Sequence, residues 1–149
     1  MHPKWLILAL TTLLGGCAFF PSHYDAVRQE NFTKLYAFHT KFIEDFADST
    51  RDTTRTWNVE DVRRTCDEGD LKFREALVYA KTQDNRDSTG TKAVRILMKR
   101  FKAHCDFARV EGKPFSRLWA KRRLADLDEN YGLAIEGELS RVGASTASQ

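Results

Sequence analysis

Between Val59 and Ala80, and again between Val94 and Ala108, apolar and small residues recur in steps of three and four. The first run is Val59, Val62, Cys66, Gly69, Phe73, Ala76 and Ala80; the second is Val94, Leu97, Met98, Phe101, Cys105 and Ala108. Only an α-helix returns residues at that spacing to one face. Two further stretches carry the same period. Val27, Phe32, Leu35, Tyr36, Phe42, Ile43 and Phe46 mark a first helix to about residue 49, and Leu118, Trp119, Leu124, Leu127, Tyr131, Ile135, Leu139 and Val142 mark a last one from Phe115 to about Val142. Four amphipathic helices of this length bury their stripes best as a compact antiparallel four-helix bundle, so the expected fold class is all-α. With 42% hydrophobic and 30% charged residues and a mean hydropathy of −0.51, the chain is neither collagen, nor a disordered tail, nor a set of membrane spans.

The helix ends carry their own signals. Asn58 is a good N-cap, Asp61 stands at N3, and Trp57 with Val62 occupies the positions of a hydrophobic staple, so the second helix starts near Val59. Ser22, three residues before Asp25, makes a weaker capping box for the first. Residues 49–56 lack any apolar side chain and read as a linker, and the polar residues 84–91 read as a turn. The third helix is expected over about Lys92 to Glu111, with Gly112 after its end and Pro114 opening the fourth. Gly69 either sits inside a continuous second helix or kinks it, with Asp70 restarting the turn.

The first residues have a different character. Lys4 precedes an apolar stretch from Trp5 to Leu14, interrupted only by Thr11 and Thr12, and Leu14-Gly15-Gly16-Cys17 follows. A charged start, a short apolar core and small residues before a cut site describe a signal peptide, too short to span a bilayer. The Leu14-to-Cys17 segment resembles the lipobox of bacterial lipoproteins. That resemblance implies removal of residues 1–16, acylation of Cys17, a short tether over 17–22, a helical domain over 23–143 and a small polar tail over 144–149. Several acyl chains, as in that family, anchor stably where one would not. The family's sorting rule retains at the inner membrane those proteins with aspartate after the cysteine. Ala18 stands there, so the resemblance implies the periplasmic face of an outer membrane.

With Cys17 given to lipid, the resemblance leaves Cys66 and Cys105 in an oxidising compartment, where a structural disulfide is the expected state. The hairpin of the second and third helices accommodates it. Cys66 and Cys105 share the residue-number sum 171 with Leu77 and Val94, so cysteines and apolar seams meet at matching levels. Gly69 then lies near Phe101 and Lys102, where its missing side chain lets the Phe101 ring approach.

The net charge of +3 is a remainder. Residues 92–123 hold eleven basic groups and two acids, for +9; residues 1–91 give −2 and residues 124–149 give −4. Arg95, Lys99 and Lys102 of the third helix, with Arg117, Lys121, Arg122 and Arg123 of the fourth, form a candidate basic binding face. It suits lipid headgroups, lipopolysaccharide phosphates or an acidic protein surface. The alternative is an ordinary solvated face. Nucleic acid is excluded by the expected location.

No catalytic signature is readable, and neither enzyme activity, cofactor nor metal is expected. His39 with Glu44, Asp45 and Asp48 lacks the spacing of a metal-binding helix, and Met98 with His104 lacks a haem-attachment motif. A cell-wall hydrolase would need a deep pocket around Glu44 or Asp45. Phe38 points off the first helix's apolar line and is expected to remain exposed as a protein contact. In general plan the chain is similar to the pilotin lipoproteins that escort secretins, and to exclusion lipoproteins of phages and plasmids; the likeness is architectural. The first functional expectation is therefore a non-enzymatic envelope lipoprotein that binds an envelope protein, in an assembly, chaperone or accessory role. The second is a binder of an anionic envelope component.

Overall fold

The computed structural model describes residues 24–48, 57–83 and 88–146, with side chains as far as residue 141. Within them lie four helices, α1 (Ala26–Asp45), α2 (Val59–Thr82), α3 (Thr89–Glu111) and α4 (Arg117–Thr146). They form the expected antiparallel bundle, with α2 packed most extensively on α3 and α1 on α4. The Cys66–Cys105 disulfide joins α2 to α3, its Cα atoms 5.9 Å apart. The signal segment, Cys17, Ser22 and the 49–56 linker lie outside the described residues.

The α2 seam runs unbroken through Gly69. A Cβ there would collide with the Phe101 ring and come within 2.8 Å of Phe38 Cε1, so glycine is the residue that lets α2, α3 and α1 close together. Phe101 stacks on Phe73 at 5.2 Å and meets Phe42 edge-on at 5.4 Å. Phe38 is thereby spent on internal packing, 5.8 Å from Phe101 and capped by the Lys72 ammonium, and is not the free contact expected of it.

Several boundaries differ from the sequence expectation. Asp25 itself caps α1, its carboxylate accepting from the amides of Val27 and Arg28 at 3.0 and 3.1 Å, and also from the Tyr79 hydroxyl of α2. Helix α1 stops at Asp45 because the chain turns at Phe46 and pairs with the α3–α4 connection. The Phe115 amide donates to Phe46 O at 2.8 Å, and the Asp48 amide to Phe115 O at 2.7 Å. Pro114 and Phe115 therefore precede α4, which is capped by Ser116 through the Trp119 amide. Asn58 caps α2 as expected, accepting from the Glu60 amide at 2.8 Å, and Gly112 ends α3 in the left-handed region. Helix α3 begins at Thr89, three residues early.

Val27, Val59, Leu118 and Leu139, expected inward, are exposed. On α4 the buried stripe is Ala120, Leu127, Tyr131 and Glu138, with Leu124, Ala134 and Ile135 at its edges. Substituting Gly69→Ala tests the close approach. The added methyl should destabilise the domain by about 2 kcal/mol despite alanine's helix preference of about 1 kcal/mol, measured as a lowered urea midpoint at unchanged slope.

Candidate interaction surface

At the end where α3 meets α4, the two are wedged together by rings. Trp119 stacks on Phe107 at 4.8 Å and on Phe115 at 4.3 Å, and Phe115 meets Phe42 at 5.8 Å. Toward the opposite end the facing residues shrink to Gly90 and Ala93 on α3 and to Ala134 and Gly137 on α4. These cannot fill the space between two helices, and a groove of about 260 Å³ opens, floored by Phe32 and rimmed by Ile96 and Leu133. Both rim residues are exposed, at 56% and 65%.

Beneath the groove Arg28 and Glu138, each 3% exposed, form an ion pair at 2.8 Å, and Arg141 approaches the same carboxylate at 3.3 Å. A Cβ on residue 90 would lie 2.5 Å from the Arg28 side chain, so Gly90 makes room for the guanidinium. The groove is smaller than the cavities that enclose a drug-sized ligand, and its open rim of aliphatic side chains suits a protein surface.

The basic face takes a specific form. Acidic side chains of α2 are neutralised along their own helix, Glu60 and Asp67 by Arg63, Asp61 by Arg64, Glu68 by Lys72 and Asp70 by Arg74. On α3, by contrast, Lys92, Arg95, Lys99 and Lys102 are exposed and have no acidic partner among the described residues. Arg123 is used internally, pairing with Asp126 at 2.7 Å and lying over Trp119. Arg117, Lys121 and Arg122 are exposed on the first turns of α4, toward the end of the bundle away from the groove.

A polar chain that the sequence did not announce lies in the core. His39 is fully buried, with Nε2 2.8 Å from His104 Nδ1 and Nδ1 3.2 Å from the Tyr131 hydroxyl. One proton order satisfies all three groups with both rings neutral: Tyr131 donates to His39, and His39 donates to His104. Burial, then His104 and Arg100, pushes the His39 ring down to about 3. Burial, then Arg123 and Arg100, pushes His104 down to about 4, against the opposing influence of Asp126. Burial raises the Tyr131 hydroxyl. Asp45, one of the two carboxylates around which a cell-wall hydrolase would need a deep pocket, pairs with Lys41 at 2.9 Å, and the space beside it is about 40 Å³. Among the described residues no group of three or more metal-ligating side chains occurs.

No protein-family model matches this chain, and neither a curated protein nor a solved structure matches it. Among the described residues no helix is long and apolar enough to cross a membrane.

The histidine pair sets a pH dependence. The unfolded rings take up protons near pH 6.5, whereas the folded ones resist until about 3 and 4. Stability is therefore complete above pH 7 and is lost as pH falls toward 4. The melting temperature should drop by roughly 5–10 °C between pH 7.5 and 4.5, and His104→Gln should flatten that part of the profile. A melting temperature constant across this range would contradict a buried neutral pair.

Proposed function

We propose that this chain is a lipid-anchored protein of a bacterial envelope, held through acylated Cys17 at the periplasmic face of the outer membrane, that acts without catalysis by binding a protein through the α3/α4 face. The observation that carries the protein-binding part is the groove, an apolar, open trough whose rim leaves Ile96 and Leu133 in solvent and which no described segment of the chain covers. The anchoring part rests on the Leu14-Gly15-Gly16-Cys17 sequence. An assembly, chaperone or accessory role in an envelope complex follows from such a body on such an anchor. Two experiments test the reading. Cys17→Ser should abolish acylation and release the protein from membranes, as seen in the mass of the N-terminal peptide and in fractionation. A photo-crosslinking residue at position 133 should capture one stoichiometric protein in cells, whereas one at Val78 on the far side of the bundle should not.

The unneutralised lysines and arginine of α3 favour a second reading, binding of an anionic envelope component such as lipopolysaccharide or lipid headgroups. In that case purified protein binds lipopolysaccharide with an affinity that falls steeply with salt, and combined reversal of Arg95, Lys99 and Lys102 to glutamate abolishes it. Binding indifferent to salt and to these reversals would remove this reading.

A further inference from the structure

The two ridges beside the groove carry the same pattern with opposite sign. On α3 the exposed ridge is Lys92, Ile96 and Lys99; on α4 it is Glu129, Leu133 and Glu136. Each triplet has spacings of four and three, which place its members in line along one side of a helix. Ile96 and Leu133 are the two rim residues of the groove, so the charged residues continue its two lips. Among the described residues none of the four charges has an ion-pair partner.

The levels match as well. The helices are antiparallel, and residues at one height along α3 and α4 have numbers summing to about 228: Gly90 and Glu138 both touch Arg28, and Phe107 stacks on Trp119. On that scale Lys92 stands level with Glu136, Ile96 with Leu133, and Lys99 with Glu129. Within one chain these partners face outward on separate ridges and do not meet.

We infer that the α3/α4 face binds a second copy of this chain, through a two-fold axis running parallel to the helices. This rests on the protein-binding reading of the face and names the protein. Rotation about such an axis keeps every residue at its own height and lays α4 of the second copy over α3 of the first. Lys92 then faces Glu136 of the second copy, Lys99 faces Glu129 of the second copy, and Ile96 and Leu133 from both copies fill the two grooves. Every neighbouring pair among the four central helices is antiparallel, the arrangement of a four-helix bundle. A two-fold axis across the helices would instead set α3 on α3 and bring like charges together. The parallel axis also leaves both Tyr24 residues at the same end, so two chains anchored by their N-termini reach one membrane.

The lips extend about 10 Å along the bundle, so the interface is smaller than the standard of about 1,600 Å². The pair is therefore weak in solution and is concentrated when both copies share a membrane.

The test uses the full-length protein in its membrane and a short bismaleimide. Ile96→Cys and Leu133→Cys, introduced together, should give a crosslinked dimer, and neither substitution alone should. Lys92→Glu with Lys99→Glu should reduce the dimer at least tenfold, as should Glu129→Lys with Glu136→Lys, while all four together should restore it to within twofold. The altered positions are exposed, and melting curves confirm that each variant is folded. Crosslinking by Ile96→Cys alone, or charge reversals without effect, would overturn the arrangement. Capture at position 133 of a different protein with no dimer overturns self-association and leaves protein binding standing; absence of any adduct at either position overturns both.

Discussion

The ring of Phe101 stands where three helices converge, and the rest of the packing is arranged around it. It lies against Gly69 of α2, stacks on Phe73, and meets Phe38, His39 and Phe42 of α1. Van der Waals contact falls off within an ångström, so such a site has one solution. Any larger residue at position 69 would push α3 away from α2, and with it the register that places Cys66 opposite Cys105. The disulfide fixes the same register covalently, closing a separation of 39 residues, which in the chain-entropy model removes on the order of 4 kcal/mol of unfolded-state freedom. A domain this small gains from both devices, because its core alone leaves little margin.

With α2 and α3 locked, the shape of the α3/α4 side follows from side-chain size. Trp119, Phe107 and Phe115 fill the junction at one end, and glycine and alanine underfill it at the other. The groove is thus a consequence of composition along two helices and needs no loop to form it. His39 and His104 lie between these regimes, with Trp119 5.4 Å from His104 and Phe101 5.1 Å from His39. Their hydrogen bond ties α1 to α3 beside the ring contacts that Phe101 makes with α1.

Much of this was legible in the chain, and what was not has identifiable causes. The α2/α3 hairpin was readable because its signal is redundant: the same residue-number sum joins the cysteines and the apolar seams, and Asn58 marks the start. The inward face of α4 was read correctly at Trp119, Leu124, Leu127, Tyr131 and Ile135 but missed Ala120, Ala134 and Glu138, which carry little hydrophobic signal, while Leu118 and Leu139 are conspicuous and outward. The ends of α1 and α4 were misplaced because the pairing of residues 46–48 with Phe115 joins segments far apart in sequence. The His39–His104 bond spans 65 residues and has no local pattern. The basic cluster was visible as a count, but only the fold separates Lys92 and Lys99, beside the groove, from Arg117 and Lys121 at the other end.

The buried Arg28–Glu138 pair shows why the groove is not simply a packing fault. Removing two charges from water costs several kcal/mol, and an apolar pair of similar volume at such a position is often as stable or more so. An underfilled junction could have closed around leucine or phenylalanine, as it does at the other end. Instead the guanidinium lies beneath the groove, Gly90 is kept small to admit it, and Arg141 is drawn to the same carboxylate. A paired charge cannot be displaced sideways without exposing its partner to apolar surroundings, so α3 and α4 are held apart by an object that resists collapse more firmly than a hydrocarbon side chain would. The trough is consequently present before anything binds, with Ile96 and Leu133 already in solvent. A surface built that way loses little conformational freedom on association, which is what a small interface requires to function.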